Sequence, residues 1–107
     1  MADKTVRMDG ALTIDETKSL CEVEQNKGFQ LQNIQHATIS QGGEALQINK
    51  AEFVLELNRL KTLLFFEPNG NDPEAIKTQK KKEGWKFLCS GPIFVRNNIT
   101  NVMVFAK

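Results

Sequence analysis

Tyrosine is absent from this chain, and tryptophan and histidine occur once each, as Trp85 and His36. Any classical triad or histidine-bearing metal site must therefore use His36, which stands between Gln35 and Ala37 with no HxH or HxxE pattern around it. Cysteine is nearly as scarce. Cys21 and Cys89 do not make a disulfide framework, and they lack the short ligand pairs that zinc usually takes. No catalytic, cofactor or metal site is expected on these grounds. There is no GxGxxG or Walker pattern, and Gly42-Gly43 and Gly70 read as turns, so a nucleotide phosphate has no cradle. No apolar run approaches the ~20 residues of a membrane helix. The start, Met1-Ala2-Asp3-Lys4, has no basic-then-apolar segment, so no secretory signal is visible and a cytoplasmic protein with reduced thiols is expected. Net charge is only +1, which gives no global field toward nucleic acid or membrane.

What is present is globular. The 107 residues are 40% hydrophobic and 25% charged, values of a folded chain. The expectation is a single α+β domain over residues 1–107 that buries roughly two-thirds of its unfolded surface. Charge is unevenly spread: residues 1–60 carry six basic and nine acidic groups, and residues 61–107 carry eight and four.

Two helices announce themselves. Thr13-Ile14-Asp15-Glu16 matches a capping box and opens a helix to about Lys27, with Leu20 and Val23 expected inward and Gly28 as its stop. Asn71-Asp72-Pro73-Glu74 opens a second, with Asp72 as cap and Pro73 at the first position. Its closing lysines complement the helix dipole, and Gly84 is the expected left-handed residue after it. Only Ala75 and Ile76 are apolar there, so this helix should lie lightly on its support.

The rest reads as strands. Residues 4–12 form a first one. Phe29 and Leu31 begin a second whose parity slips before Ile34 and Ile39, which suggests a bulge or a bend. Gln41-Gly42-Gly43-Glu44 turns it into a return strand from Ala45 to Ile48. Residues 49–61 fit both periods; a strand pairing as a hairpin with Thr62 to Phe66 is favoured, with a third helix as the rival. Trp85, Phe87 and Cys89 alternate with Lys86, Leu88 and Ser90, Pro92 marks an edge, bulge or break, and Ile99 to Ala106 closes the chain. Trp85 is expected in the core.

The halves are alike at a shift of 56 residues: Gly28 with Gly84, Phe29 with Trp85, Leu31 with Phe87, Leu46 with Val102, Ile48 with Val104. A strand–helix–strand–strand unit repeated twice would account for this, giving an antiparallel sheet with two helices on one face.

Three functional readings follow. The leading one is a non-enzymatic binding or protein-interaction module acting as a homodimer. The closing strand is apolar on both faces, as is Leu63-Leu64-Phe65-Phe66, and a sheet with helices on one side leaves the other to be covered by a partner copy. The alternative is nucleic-acid binding through Lys77, Lys80, Lys81, Lys82 and Lys86 beside Trp85, with Arg96 joining them. The third is a thiol enzyme pairing Cys21 or Cys89 with His36.

Overall fold

A computed structural model describes residues 2–58 and 60–107. Met1 and Arg59, on which the expectations for the N-terminus and for residues 49–61 touch, lie outside the described residues. The order of elements is β1 (Lys4–Asp9), α1 (Ile14–Asn26), β2 (Phe29–Gln41), β3 (Glu44–Leu55), β4 (Leu63–Phe66), α2 (Pro73–Lys82), β5 (Lys86–Val95) and β6 (Asn98–Ala106). The fold is α+β. The strands form two antiparallel sheets of three, ordered β1-β3-β2 and β4-β6-β5, rather than one.

The local signals act as read. Thr13 and Glu16 complete the capping box on α1, and Asp72 caps α2 with Pro73 at its first position. Gly28 and Gly84 follow the two helices at φ +112° and +93°, a region that costs a Cβ-bearing residue about 1–2 kcal/mol. The β2 register slips at Gln32, between the Leu31 and Asn33 pairings, and the β5 register slips at Leu88, again 56 residues on.

The repeated unit is thus visible in helix stop, bulge and strand order. Its return strands, however, match at an offset of 52: the pair Leu31–Phe53 corresponds to Phe87–Phe105. The first hairpin carries four more residues. Val102 and Val104 therefore correspond to Lys50 and Glu52, not to Leu46 and Ile48.

Residues 49–55 are strand, as favoured, but they continue β3. The expected hairpin with Thr62 to Phe66 does not form, because β4 pairs with β6. Pro92 sits on the edge strand β5, where its missing N–H leaves no ladder bond unmade.

The main core lies between the sheets. Met8, Leu31, Ile34, Ala51 and Phe53 of the first sheet meet Leu63, Phe65, Cys89, Ile93, Val102, Val104 and Ala106 of the second. Helix α1 lies against β2 and β4, and β5 runs against β2 and β3. On the opposite face of the second sheet, Ile76 of α2 packs with Met103 and Phe105, flanked by Leu64, Phe66, Trp85 and Phe87. The two helices therefore do not share one face of one sheet.

Both apolar faces of β4 and β6 are covered within the chain, except at Ile99, which is 59% exposed. Each large side chain buried this way contributes about 1.5–3 kcal/mol, so α2 holds its sheet with few residues of its own. The covering comes from α2 and the first sheet, and not from a third helix at residues 49–61. Trp85 is only half-buried, at the margin of this second cluster, with the Lys107 ammonium 4.5 Å from its ring centroid.

Candidate functional site

Helix α1 is turned the other way round from its apolar pattern. Thr17, Cys21 and Gln25 are fully buried and Glu24 nearly so, while Leu20 is 43% exposed and Val23 48%. The expectation that Leu20 and Val23 point inward is therefore corrected. The reason lies in what surrounds the helix. The Gln25 amide donates to the Leu60 carbonyl oxygen, and its own carbonyl oxygen accepts from the Leu31 N–H. A buried backbone N–H at the start of β2 and a part-buried carbonyl of the loop before β4 both find a polar partner there, and leaving a buried group unpaired costs about 1–3 kcal/mol. Glu24 is held by Lys4 and Lys27. Burial pushes its carboxyl up, but the hydrogen bonds from the two lysines outweigh this and hold it below the ordinary 4.5.

With these positions inward, Glu16, Leu20, Val23 and Lys27 form one outward stripe, spaced i, i+4, i+7 and i+11 along the helix. Leu12, Ser19, Leu20 and Val23 line an apolar groove of about 410 Å³ there, with Asp15 and Glu16 on its rim. The Glu16 carboxyl lies below its ordinary value, chiefly through the hydrogen bond it accepts from the Thr13 N–H. At the far end of the helix, Leu55 is 66% exposed, and its Cδ1 lies 3.8 Å from where a Cβ on Gly28 would stand.

A second groove, of about 540 Å³, opens around the start of α1 and shares Asp15 with the first. Phe65 and Val95 line it, with Asp15, Glu67, Arg96 and Thr100 around them. Arg96 comes from the β5–β6 turn, at φ +50°, followed by Asn97 at +63°. That turn is pinned to the loop before α1. The Arg96 N–H donates to Leu12 O and the Asn97 N–H to Gly10 O, both at 2.9 Å.

Arg96 thus stands at the opposite end of β5 from Lys86 and does not join the lysines. Two of the five lysines are themselves engaged. Lys77 lies 4.3 Å above the Phe87 ring and 3.2 Å from Glu74; Lys80 lies 4.9 Å above Phe66 and 3.4 Å from Glu83. Lys81, Lys82 and Lys86 remain exposed. The only tryptophan has the Lys107 ammonium over its ring, which takes one of the faces on which a base would stack.

The thiols sit in the core. Burial pushes Cys21 up to about 12 and Cys89 up to about 11. His36 pairs across the ladder with Asn49, and its ring packs 5.7 Å from that of Phe94. Among the described residues no hydrogen bond joins His36 to either thiol, and no cluster of His, Cys, Asp and Glu could hold a metal. The thiolate form that a nucleophile needs is thus disfavoured at both cysteines.

Thiol-specific labelling at pH 7.5 (a pH near neutrality) is expected to modify neither cysteine in the native protein and both after denaturation. The folded state keeps these protons where the unfolded chain has lost them. Stability is therefore full below the ordinary thiol value of 9.0 and falls as pH rises from there toward 12. Rapid native labelling of one thiol would restore the enzyme reading.

Sequence reasoning found Arg96 but gave it the wrong neighbours. It had no signal for Glu67 or Thr100, whose approach to α1 depends on how the two sheets meet. Comparison with protein-family models gives no match, and neither a curated protein nor a solved structure is detectably similar to the chain.

Proposed function

We propose that this chain is a non-enzymatic binding module that works as a homodimer, joined through the outward stripe of α1. The observation that carries the reading is the self-complementarity of that stripe. In an antiparallel pairing about a two-fold axis, Glu16 of one copy faces the partner's Lys27, and Leu20 faces the partner's Val23. Both contacts then occur twice, as an isologous interface requires. The helix dipoles oppose, and the exposed Leu55 extends the apolar patch. The dimer surface is therefore α1 and not the sheet residues that the closing strand first suggested, since Val102, Met103, Val104, Phe105 and Ala106 are already covered and, of the apolar side chains there, only Ile99 stays exposed.

Light scattering across a micromolar dilution series tests this. Wild type is expected to move from one-chain to two-chain mass as concentration rises. Leu20→Glu should hold one-chain mass throughout with an unchanged melting temperature, because the side chain is outside the core. Glu16→Gln, which can still accept from the Thr13 N–H, should weaken association while leaving the melting temperature unchanged. A one-chain mass for wild type at every concentration overturns the reading, as does a dimer that survives Leu20→Glu.

A further inference from the structure

The groove shared by α1, β4 and the β5–β6 turn has a charge arrangement that selects its ligand. Asp15 and Glu67 bring two carboxylates, Arg96 brings one guanidinium, and Ile14 with the exposed margins of the largely buried Phe65 and Val95 supplies apolar surface. Among the described residues none of the three charged groups makes a salt bridge within 4.0 Å, although Arg96 stands near enough to Glu16 to help hold that carboxyl below its ordinary value. A simple anion drawn to Arg96 would meet two carboxylates, and a simple cation drawn to the carboxylates would meet the guanidinium. A ligand that carries both charges on one small frame satisfies all three groups together. The planar fork of arginine matches a carboxylate in two parallel hydrogen bonds, whereas an ammonium is matched by carboxylates around it. The volume, about 540 Å³, lies within the common range for small-molecule sites.

The backbone under Arg96 gives independent support for its placement. The corresponding turn of the first hairpin uses Gly42 and Gly43 at φ +60° and +84°, where glycine is unstrained. The second hairpin puts an arginine at φ +50° instead. The strain is held by the two backbone hydrogen bonds to Leu12 O and Gly10 O, which aim the turn at the start of α1. A glycine would make the same turn more easily and would bring no guanidinium.

We infer that this groove binds a small apolar α-amino acid, with Arg96 holding its carboxylate, Asp15 and Glu67 holding its ammonium, Thr100 at the rim, and its side chain on Ile14 and the margins of Phe65 and Val95. This deepens the binding-module reading by naming a ligand class. It uses residues of one chain only, so it stands or falls apart from the dimer.

The test is a nuclear magnetic resonance titration of the full chain with L-leucine as probe. Two analogues each lack one charge: 4-methylpentanoate has no ammonium, and 3-methylbutylamine has no carboxylate. Leucine is expected to shift the amides of Asp15, Glu67, Arg96 and Thr100 saturably, and each analogue to bind at least about tenfold more weakly, as loss of one charge-assisted contact implies. Arg96→Gly is the informative variant, because it removes the guanidinium while suiting the positive φ. It should melt no lower than wild type and lose at least about tenfold in leucine affinity.

Absence of saturable shifts at about 10 mM leucine, where even a millimolar site would fill, overturns the inference. So does an analogue that binds as tightly as leucine, or an Arg96→Gly variant that binds like wild type. Leucine binding by a protein of one-chain mass would leave the ligand reading standing and the dimer reading fallen.

Discussion

Phe53→Ala is expected to lower the free energy of unfolding by about 3–5 kcal/mol, the range found when a large buried aromatic is truncated. Phe53 is fully buried at the centre of the first sheet, with β1 paired on one side and β2 on the other. It belongs to the cluster that both sheets and Cys21 of α1 share. The space left behind cannot be filled by sliding one strand, because Lys4 and Leu31 flank the position across two ladders. For a chain of this size the loss corresponds to a fall of roughly 15 °C or more in melting temperature. In denaturant, the midpoint should drop with the slope unchanged. A loss under about 1 kcal/mol would mean that the two sheets do not share this core. Trp85→Ala should cost less than Phe53→Ala, since Trp85 is half-buried at the edge of the smaller cluster.

The second large effect is expected from a polar residue. Asn49 is fully buried within β3, and its side chain grips the outer edge of β5. The Asn49 amide donates to the Phe94 carbonyl oxygen at 2.6 Å, and its carbonyl oxygen accepts from the Phe94 N–H at 2.7 Å. One side chain thereby supplies the ladder partner that an edge strand lacks, and it does so from the other sheet.

Asn49→Ala leaves both backbone groups without that partner. At about 1–3 kcal/mol for each unsatisfied buried group, the expected loss is about 2–5 kcal/mol. Asn49→Asp should be worse than Asn49→Ala at neutral pH. A carboxylate still accepts from the N–H but faces the carbonyl oxygen with a second acceptor, and it buries a charge. Urea titrations of the two variants check this order. Equal stabilities of Asn49→Asp and wild type would show that the side chain does not face β5 at all.

These two residues mark how far the sequence is legible. Phe53 is marked as apolar-face by strand alternation, since Phe53, Leu55 and Leu57 stand against Glu52, Glu56 and Asn58, although the same stretch also fits a helical face. Asn49 cannot be found in this way, because a polar residue in a strand reads as solvent-facing unless the second sheet is already in place. The candidate grooves divide in the same way. Arg96 and the start of α1 are both recognisable as local features, but only the packing of β5 against β2 and β3 sets the turn above the helix. Leu20 and Val23 were visible as the apolar side of a helix, and the sequence pattern pointed them at the core. The polar needs of the Leu31 N–H and the Leu60 carbonyl reversed that choice by drawing Gln25 inward.

What the chain determines by itself is therefore short in range. The capping box at Thr13, the Asp72-Pro73 start, the glycine stops, the Gly42-Gly43 turn and the slip at Gln32 each depend on bonds or dihedrals within a few residues. They reappear unchanged in the fold, and they carry the repeat of strand, helix and two strands. Only the tertiary structure decided that the six strands split into two sheets, that β4 joins β6, and which side of α1 meets water. Those choices rest on pairings between residues far apart in the chain. Each is settled by whether distant backbone groups and apolar faces find partners, which no local pattern of side chains records.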